Sequence, residues 1–258
     1  MEQEQKLLER NAHEFFAQKK YDEAYELFRK AALIYKGQGN HHEAALCFAS
    51  AASCWAMKSG EKIFSHSAVA YRQAAEEAQA CGEMEYASLL YRYAAINFER
   101  DMEFADFSAC FYRSKECYRK FLMRCLFNPK KLSRLGVEEE KAGLRRTIKH
   151  IVFLFAMTFS YLVWGHGERP ARAFLAAIAL IFITSFFYMS GYFYSAGAVF
   201  KPDFFQAFYF SAVTFTTVGY GDIVPVGINR LVAVTESFCG LFFIPLFIVA
   251  LSRKYLRI

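Results

Sequence analysis

The chain has 258 residues, 55% hydrophobic and 22% charged, with 29 Phe and 16 Tyr. That balance excludes a disordered or collagen-like chain, and 7 Cys are too sparse for a disulfide-stapled scaffold. The formal charge of +6 is unevenly placed: residues 1–142 hold 21 basic and 21 acidic side chains while residues 143–258 hold 10 and 4, so the first half reads as soluble and the second as membrane.

The N-terminal run Met1-Glu2-Gln3-Glu4-Gln5-Lys6 has no apolar core of a secretory signal, so the first half is expected to stay in the cytosol. Cys47, Cys54, Cys81, Cys110, Cys117 and Cys125 lie there, without a CxxC or Cys/His zinc spacing. They read as reduced, buried packing residues. His13, His41, His42 and His66 have no carboxylate or Cys at a spacing that suggests a triad or a metal, and His41-His42 reads as a solvated loop. With no GxGxxG or Walker A loop either, no enzyme and no cofactor are expected.

One element recurs in this half, an aromatic residue followed three and four positions later by Ala-Ala. It appears as Phe28/Ala31-Ala32, Phe48/Ala51-Ala52, Tyr71/Ala74-Ala75 and Tyr91/Ala94-Ala95, with a degenerate copy at Phe111/Ser114-Lys115. A small residue stands four before the first four aromatics, at Ala24, Ala44, Ser67 and Ala87. These positions share one helix face, so each copy is a helix with a small/large contact stripe. Gly37, Gly39, Gly60 and Gly82 fall between copies, where helices should end. One helix per roughly 20 residues means a two-helix unit of about 40, the period of a helical solenoid.

With Tyr21-Asp22-Glu23-Ala24 and Lys30-Ala31-Ala32, this spacing resembles the tetratricopeptide-like fold, and within it the helical layer of the soluble NSF attachment protein (SNAP) family, over about residues 5–122. The resemblance implies either a packing scaffold or a platform for gating or for an unidentified protein partner. It nominates no binding residue. Residues 1–122 are therefore assigned to a cytosolic repeat domain and 123–149 to a basic linker. Residues 111–149 carry 12 basic and 4 acidic side chains, and Asn128-Pro129 should break the last repeat helix. Directly before a membrane segment, such a run points to anionic lipid headgroups and not to nucleic acid.

Three apolar stretches follow. Ile151–Trp164 is only 14 residues and reads as an interfacial or re-entrant segment within 150–171. Ala173–Phe200 and Leu231–Leu251 are 28 and 21 residues, long enough to cross a bilayer. Between them sits Thr216-Thr217-Val218-Gly219-Tyr220-Gly221-Asp222, preceded by a predicted helix over Asp203–Phe215 that opens with Lys201-Pro202-Asp203.

This order of span, short helix, TTVGYGD and span resembles the pore module of potassium channels over about residues 172–252, placed in a pore domain of 172–258. The resemblance implies K⁺ coordination by the carbonyls of Thr217, Val218, Gly219 and Tyr220 with the Thr217 hydroxyl, and Gly221 completing the filter. Thr216, Asp222, Tyr209, Phe210 and Glu236 are its expected support. Phe208, Tyr209 and Phe210 form either an aromatic cuff or ordinary packing. One filter per chain requires four chains, most simply a homotetramer. Gly240 and Pro245 read as a gating hinge, with close packing at Gly240 the competing account. Glu236 reads as a hydrogen-bonded support behind the filter in preference to a cavity-facing charge.

The family topology puts the filter outside and both flanking spans' far ends in the cytoplasm. Keeping Ile151–Trp164 on the cytoplasmic side preserves that arrangement. It leaves Arg145, Arg146, Lys149, Arg169, Arg172, Arg253, Lys254 and Arg257 inside and only Lys201 and Arg230 outside. Tyr161 and Trp164 would then anchor the inner interface, and Tyr192 and Tyr194 the outer. The expected whole is an all-α protein: a cytosolic helical repeat and a potassium-selective pore. A membrane-anchored adaptor with a non-conducting pore, or a less selective cation channel, are the alternatives.

Overall fold

The computed structural model describes residues 2–58, 63–127 and 143–255. Gly60, Asn128-Pro129, Arg257 and most charges of the basic linker lie outside the described residues or outside those with described side chains. The architecture is all-α, ten helices and three very short strands among the described residues, and the chain divides into compact units of residues 1–159 and 160–257.

In the first unit, α1 (Glu2–Ala17), α2 (Tyr21–Gly37), α3 (His41–Met57), α4 (Ile63–Ala80), α5 (Met84–Arg100) and α6 (Phe104–Phe127) each pack on the next in chain order. The aromatic and small residues of the repeat lie on α2 to α5, one copy per helix. Ala24, Ala31, Ala32, Ala44, Ala51, Ala52, Ala74, Ala75, Ala87 and Ala94 are fully buried. Alanine lets neighbouring helices close up, and Phe28, Phe48 and Tyr91 fill the space above each close approach. In the copy that uses serine for the small residue, the Ser67 hydroxyl donates to the Ala52 carbonyl at 3.0 Å, so the buried polar atom is satisfied.

Four of the described helix connections, those after α1, α2, α4 and α5, follow one rule. Lys19, Gly39, Gly82 and Met102 all have positive φ, at 62°, 75°, 84° and 58°. After each, a backbone N–H reaches back to the preceding helix: Lys20 to Phe15, Asn40 to Tyr35, Glu83 to Ala78 and Glu103 to Phe98, all at 2.9 Å. This is the Schellman ending, in which a left-handed residue satisfies the last carbonyls of a helix.

Burial of the cysteines differs from the expectation at one position. Cys47, Cys54, Cys110, Cys117 and Cys125 are buried, whereas Cys81 is exposed because it lies in the α4–α5 turn and not on a packing stripe. Burial pushes the Cys47 and Cys54 thiols up to about 12 and those of Cys110 and Cys117 to about 11. The histidines also have carboxylate partners that chain spacing could not show, since these come from other helices: Glu77 lies 2.7 Å from His41 and Glu83 lies 2.8 Å from His42.

From Gly143 onward stand α7 (Gly143–Trp164), a 3-10 turn (Gly165–Gly167), α8 (Pro170–Tyr188), strands β1 (Phe193–Ser195) and β2 (Ala198–Phe200), α9 (Phe204–Phe215), β3 (Val224–Pro225) and α10 (Asn229–Tyr255). Two elements depart from the sequence reading. First, α7 has 22 residues, because it begins before the apolar run, and its stretch Ile148–Gly167 is long and apolar enough to cross a membrane. Second, the uncharged stretch Ala173–Phe200 is not one helix. The helix stops at Tyr188 and the remainder folds into an antiparallel hairpin with Phe193 opposite Phe200, turned at Ala196-Gly197. Aromatic and β-branched residues around a Gly turn prefer this over a helical end. Three helices are thus long and apolar enough to span: the α7 stretch, α8 and α10.

The carboxyl of Glu77 yields a test. Burial alone would raise its pKa, but hydrogen bonds from Lys36 Nζ and His41 Nδ1, both at 2.7 Å, outweigh burial and hold it below the usual carboxylate range. A depressed folded-state pKa adds stability above the ordinary carboxylate value of about 4.3, and that stability is lost as pH falls through the lower folded value. Lys36 and His41 are substantially exposed, so Glu77→Gln should cost about 1–2 kcal/mol at neutral pH and flatten the acid-side slope. Hydrogen exchange of α2–α4 amides in the full-length protein, measured against pH, checks both; an unchanged slope would remove Glu77 from the account.

Candidate functional site

The site is built on α9. Its N-terminus is closed by a capping box: Asp203 Oδ1 accepts from the Gln206 N–H at 2.7 Å, and Gln206 Oε1 accepts from the Asp203 N–H at 3.1 Å. Asp203 is thus the N-cap itself, with Pro202 one residue outside the helix. At the other end the Thr216 hydroxyl donates to the Ala212 carbonyl at 2.7 Å. The Val218 N–H bonds the Val213 carbonyl at 3.0 Å, so the segment 217–221 leaves a fixed helix end.

Within that segment the backbone alternates in hand. Thr217, Gly219 and Gly221 have φ of 59°, 57° and 77°, with Val218 and Tyr220 between them at negative φ. Such alternation turns successive peptide carbonyls toward one side. A β-branched residue at positive φ is rare and costs on the order of 1–3 kcal/mol, so Thr217 marks an enforced conformation. A Cβ added at Gly219 or Gly221 would meet nothing within 4 Å. Glycine is needed there for its backbone angle and not for space. Thr216 through Asp222 are exposed in the single chain, Val218 at 54% and Tyr220 at 70%.

The far end of the segment is braced from two elements. Tyr209 on α9 donates its hydroxyl to Asp222 Oδ2 at 2.9 Å, and Ser195 on β1 donates to the Asp222 carbonyl at 2.7 Å. Strand β1 also pairs with β3, setting Tyr194 opposite Val224. The aromatic triplet of α9 is divided among three surroundings. Tyr209 takes Asp222. Phe208 meets Phe182 of α8 at 5.2 Å, and Phe210 packs edge-on against Tyr188 and Phe193 at 5.0 and 4.8 Å.

Behind α9 lies the one buried carboxyl of α10. Glu236 is 2% exposed, and three hydroxyls converge on it: Thr184 at 2.6 Å and Ser211 at 2.5 Å on Oε1, and Tyr188 at 2.5 Å on Oε2. A hydroxyl has one proton to donate: Tyr188 gives its proton to Glu236, while Thr184 and Ser211, 2.7 Å from each other, share theirs among Glu236, one another and the carbonyls of Leu180 and Ile181. The network joins α8, α9 and α10 through one side chain. A second tie comes from Asn229, whose Nδ2 donates to the Tyr188 carbonyl at 3.3 Å; Gly191 leaves room for it, since a Cβ there would run into the amide.

Gly240 sits where α10 meets the C-terminal end of α9, and a Cβ on it would run into the Phe215 carbonyl. Pro245 lies inside a helix that continues unbroken to Tyr255. An open groove of about 680 Å³ runs beside the segment, between Val213, Thr217 and Gly219 on one side and Ala233, Ser237 and Phe238 on the other. Sequence reasoning did not find Thr184, Tyr188, Ser211, Ser195, Gly191 or Asn229. The available signal was Glu236 itself, because a carboxyl in an apolar span demands hydroxyl or amide partners from the neighbouring spans.

Residues 169–257 match a family model described as an ion channel. No curated protein and no solved structure matches the chain. The match covers α8 to α10 with the segment between them. Together with the three apolar helices it marks an integral membrane protein with an ion-channel domain.

The contact at Gly240 separates packing from hinge. Gly240→Ala should overpack the α9–α10 junction and cost about 1–3 kcal/mol. Thermal unfolding of the detergent-solubilised protein should show the loss. An unchanged melting temperature would leave backbone flexibility as the reason for the glycine.

Proposed function

We propose that this protein is a potassium-selective channel that conducts as a homotetramer. The observation that carries the reading is the left-handed backbone at Thr217, Gly219 and Gly221 within TTVGYGD. Four such segments facing one axis offer stacked rings of carbonyls from Thr217, Val218, Gly219 and Tyr220, joined by the Thr217 hydroxyl, that replace the hydration shell of K⁺. The C-terminal end of α9 adds partial negative charge where the ion would be least solvated. Exposed Val218 and Tyr220 and the groove beside them fit a chain that finishes its packing against other copies. Tyr209 with Asp222 and the Glu236 network act as supports that hold the width of the ring, while Phe210 packs beneath them. Gly240 seats α10 against the end of α9, and Pro245 supplies bending in α10.

Residues 1–122 are a tetratricopeptide/SNAP-like repeat on the cytosolic side, joined to the pore by a linker that meets anionic headgroups. It regulates opening or receives a protein partner. Liposomes with opposed K⁺ and Na⁺ gradients test the assignment. Wild-type protein should pass K⁺ in strong preference to Na⁺. Gly219→Ala and Gly221→Ala should abolish that flux, since a left-handed L-residue costs about 1–2 kcal/mol at every turn of the ring. Deletion of residues 1–122 should keep selectivity and change open probability. Absence of flux would favour the adaptor, and equal K⁺ and Na⁺ flux a less selective channel.

The orientation is a separate matter, because an outward filter and a cytosolic repeat require α7 not to cross, although it is long enough to do so. We infer that α7 stays on the cytoplasmic side, as the concentration of Lys and Arg around it and at the end of α10 favours. Arg169 is exposed at the α7–α8 turn. In a background without native cysteines, Arg169→Cys should react with a membrane-impermeant thiol reagent only after cells are opened. Labelling of intact cells would mean that α7 spans.

A further inference from the structure

The first unit brings together three donors that the chain separates widely. His42 is the second residue of α3, and Cys81 and Glu83 flank Gly82 in the α4–α5 turn. Their ligating atoms all lie within 4.8 Å of one another, and His42 Nδ1 is already 2.8 Å from Glu83 Oε1. We propose that these residues form a binding site for a borderline divalent cation of the Zn²⁺ type.

Zn²⁺ holds imidazole, thiolate and carboxylate at about 2.0–2.3 Å, which sets tetrahedral ligands roughly 3.3–3.8 Å apart. The observed separations run from 2.8 Å for His42–Glu83 to no more than 4.8 Å, on either side of that range, and exposed side chains cover the difference by rotation. The backbone beneath is held. Gly82 takes the left-handed position of its Schellman turn, the Glu83 N–H bonds the Ala78 carbonyl at 2.9 Å, and Arg124 Nη1 donates to the Gly82 carbonyl at 2.7 Å.

The chemistry of the donors selects the ion. One nitrogen, one sulfur and one oxygen are a poor match for Ca²⁺ or Mg²⁺ and a good one for Zn²⁺. Thiolate and carboxylate together neutralise its charge. Among the described cysteines of this unit, Cys81 is the exposed one, while the buried thiols of Cys47, Cys54, Cys110 and Cys117 are pushed too high to ionise at neutral pH. His41 lies outside this group of donors, and its Nδ1 pairs with Glu77 at 2.7 Å. All three ligands are exposed, so water takes the fourth position. On binding, the Cys81 thiol gives up its hydrogen bond to the Ala78 carbonyl and its proton passes to solvent, while the His42–Glu83 hydrogen bond is replaced by two metal bonds, with no change of oxidation state.

The position gives the ion a structural effect. It would clamp α3 to the α4–α5 turn, and the same turn is gripped by Arg124 from α6, the last described helix before the basic linker. The site therefore sits where occupancy stiffens a turn that also holds Arg124 near the end of α6.

The test uses full-length, metal-stripped protein and Co²⁺ as a spectroscopic stand-in. A thiolate-to-cobalt charge-transfer band should appear and saturate at one equivalent per chain, and Zn²⁺ should displace it while Mg²⁺ and Ca²⁺ do not. Cys81→Ser should abolish the band. His42→Ala and Glu83→Gln should each weaken binding at least about tenfold. The substituted residues are exposed, so far-ultraviolet circular dichroism should be unchanged in all three. Alkylation of Cys81 should slow when Zn²⁺ is present. No band in the wild type, a band that survives Cys81→Ser, or affinity indifferent to both His42→Ala and Glu83→Gln would overturn the site.

Discussion

The second unit is organised around one carboxyl that has nowhere else to go. Glu236 lies in an otherwise apolar helix, out of reach of water, and a polar group in that position is costly unless it is met by donors. Thr184, Tyr188 and Ser211 meet it, and through them α8 and α9 are fixed against α10. Each hydroxyl left unpaired would cost about 1–3 kcal/mol, which makes the three-helix arrangement far narrower than apolar packing alone would allow. Lipid tails are as apolar as leucine, so membrane helices gain little from burying hydrophobic surface against each other, and a shared polar centre decides their register.

That centre also explains why α9 can hold a strained backbone at its end. The helix is pinned in its middle by Ser211, closed at its start by the Asp203 capping box and seated at its finish against Gly240. The following residues therefore leave from a point that cannot drift. Asp222 is then caught by Tyr209 and Ser195, so the strained segment is held at both ends. The hairpin contributes Ser195 and the pairing with β3, which makes the short sheet a brace and not a decoration.

Legibility in the sequence followed the physics of each element. The repeat was readable because close helix packing needs Ala at fixed spacing, and those alanines are indeed the fully buried ones. The helix predicted over Asp203–Phe215 was readable from its N-terminal signals, whereas the segment 216–222 was singled out only by its resemblance to a known filter. The hairpin at 193–200 was not, because an uncharged run has the same composition as a membrane helix; the Ala196-Gly197 turn was the missed clue. The start of α7 was missed because it lies in charged residues that an apolar-run reading discards. Partners of Glu236, His41 and His42 come from 25 to 52 residues away, and no local pattern announces a contact of that kind.

The shared three-residue turn of the first unit has a consequence for how such a domain changes length. Left-handed residues at 19, 39, 82 and 102 close four of the connections in the same way, and each helix touches chiefly its neighbours. Successive helices reverse direction at each such turn, so a segment of two helices with their turns is interchangeable with another at junctions of this kind. Duplication or loss of such a segment leaves the remaining junctions intact, provided the terminal helices keep their outer faces. Lys19 and Met102 show how far the rule reaches, since the turn is kept there without the residue that adopts it most easily. The domain can vary its span by whole two-helix units over evolutionary time without redesign of the pore that follows it.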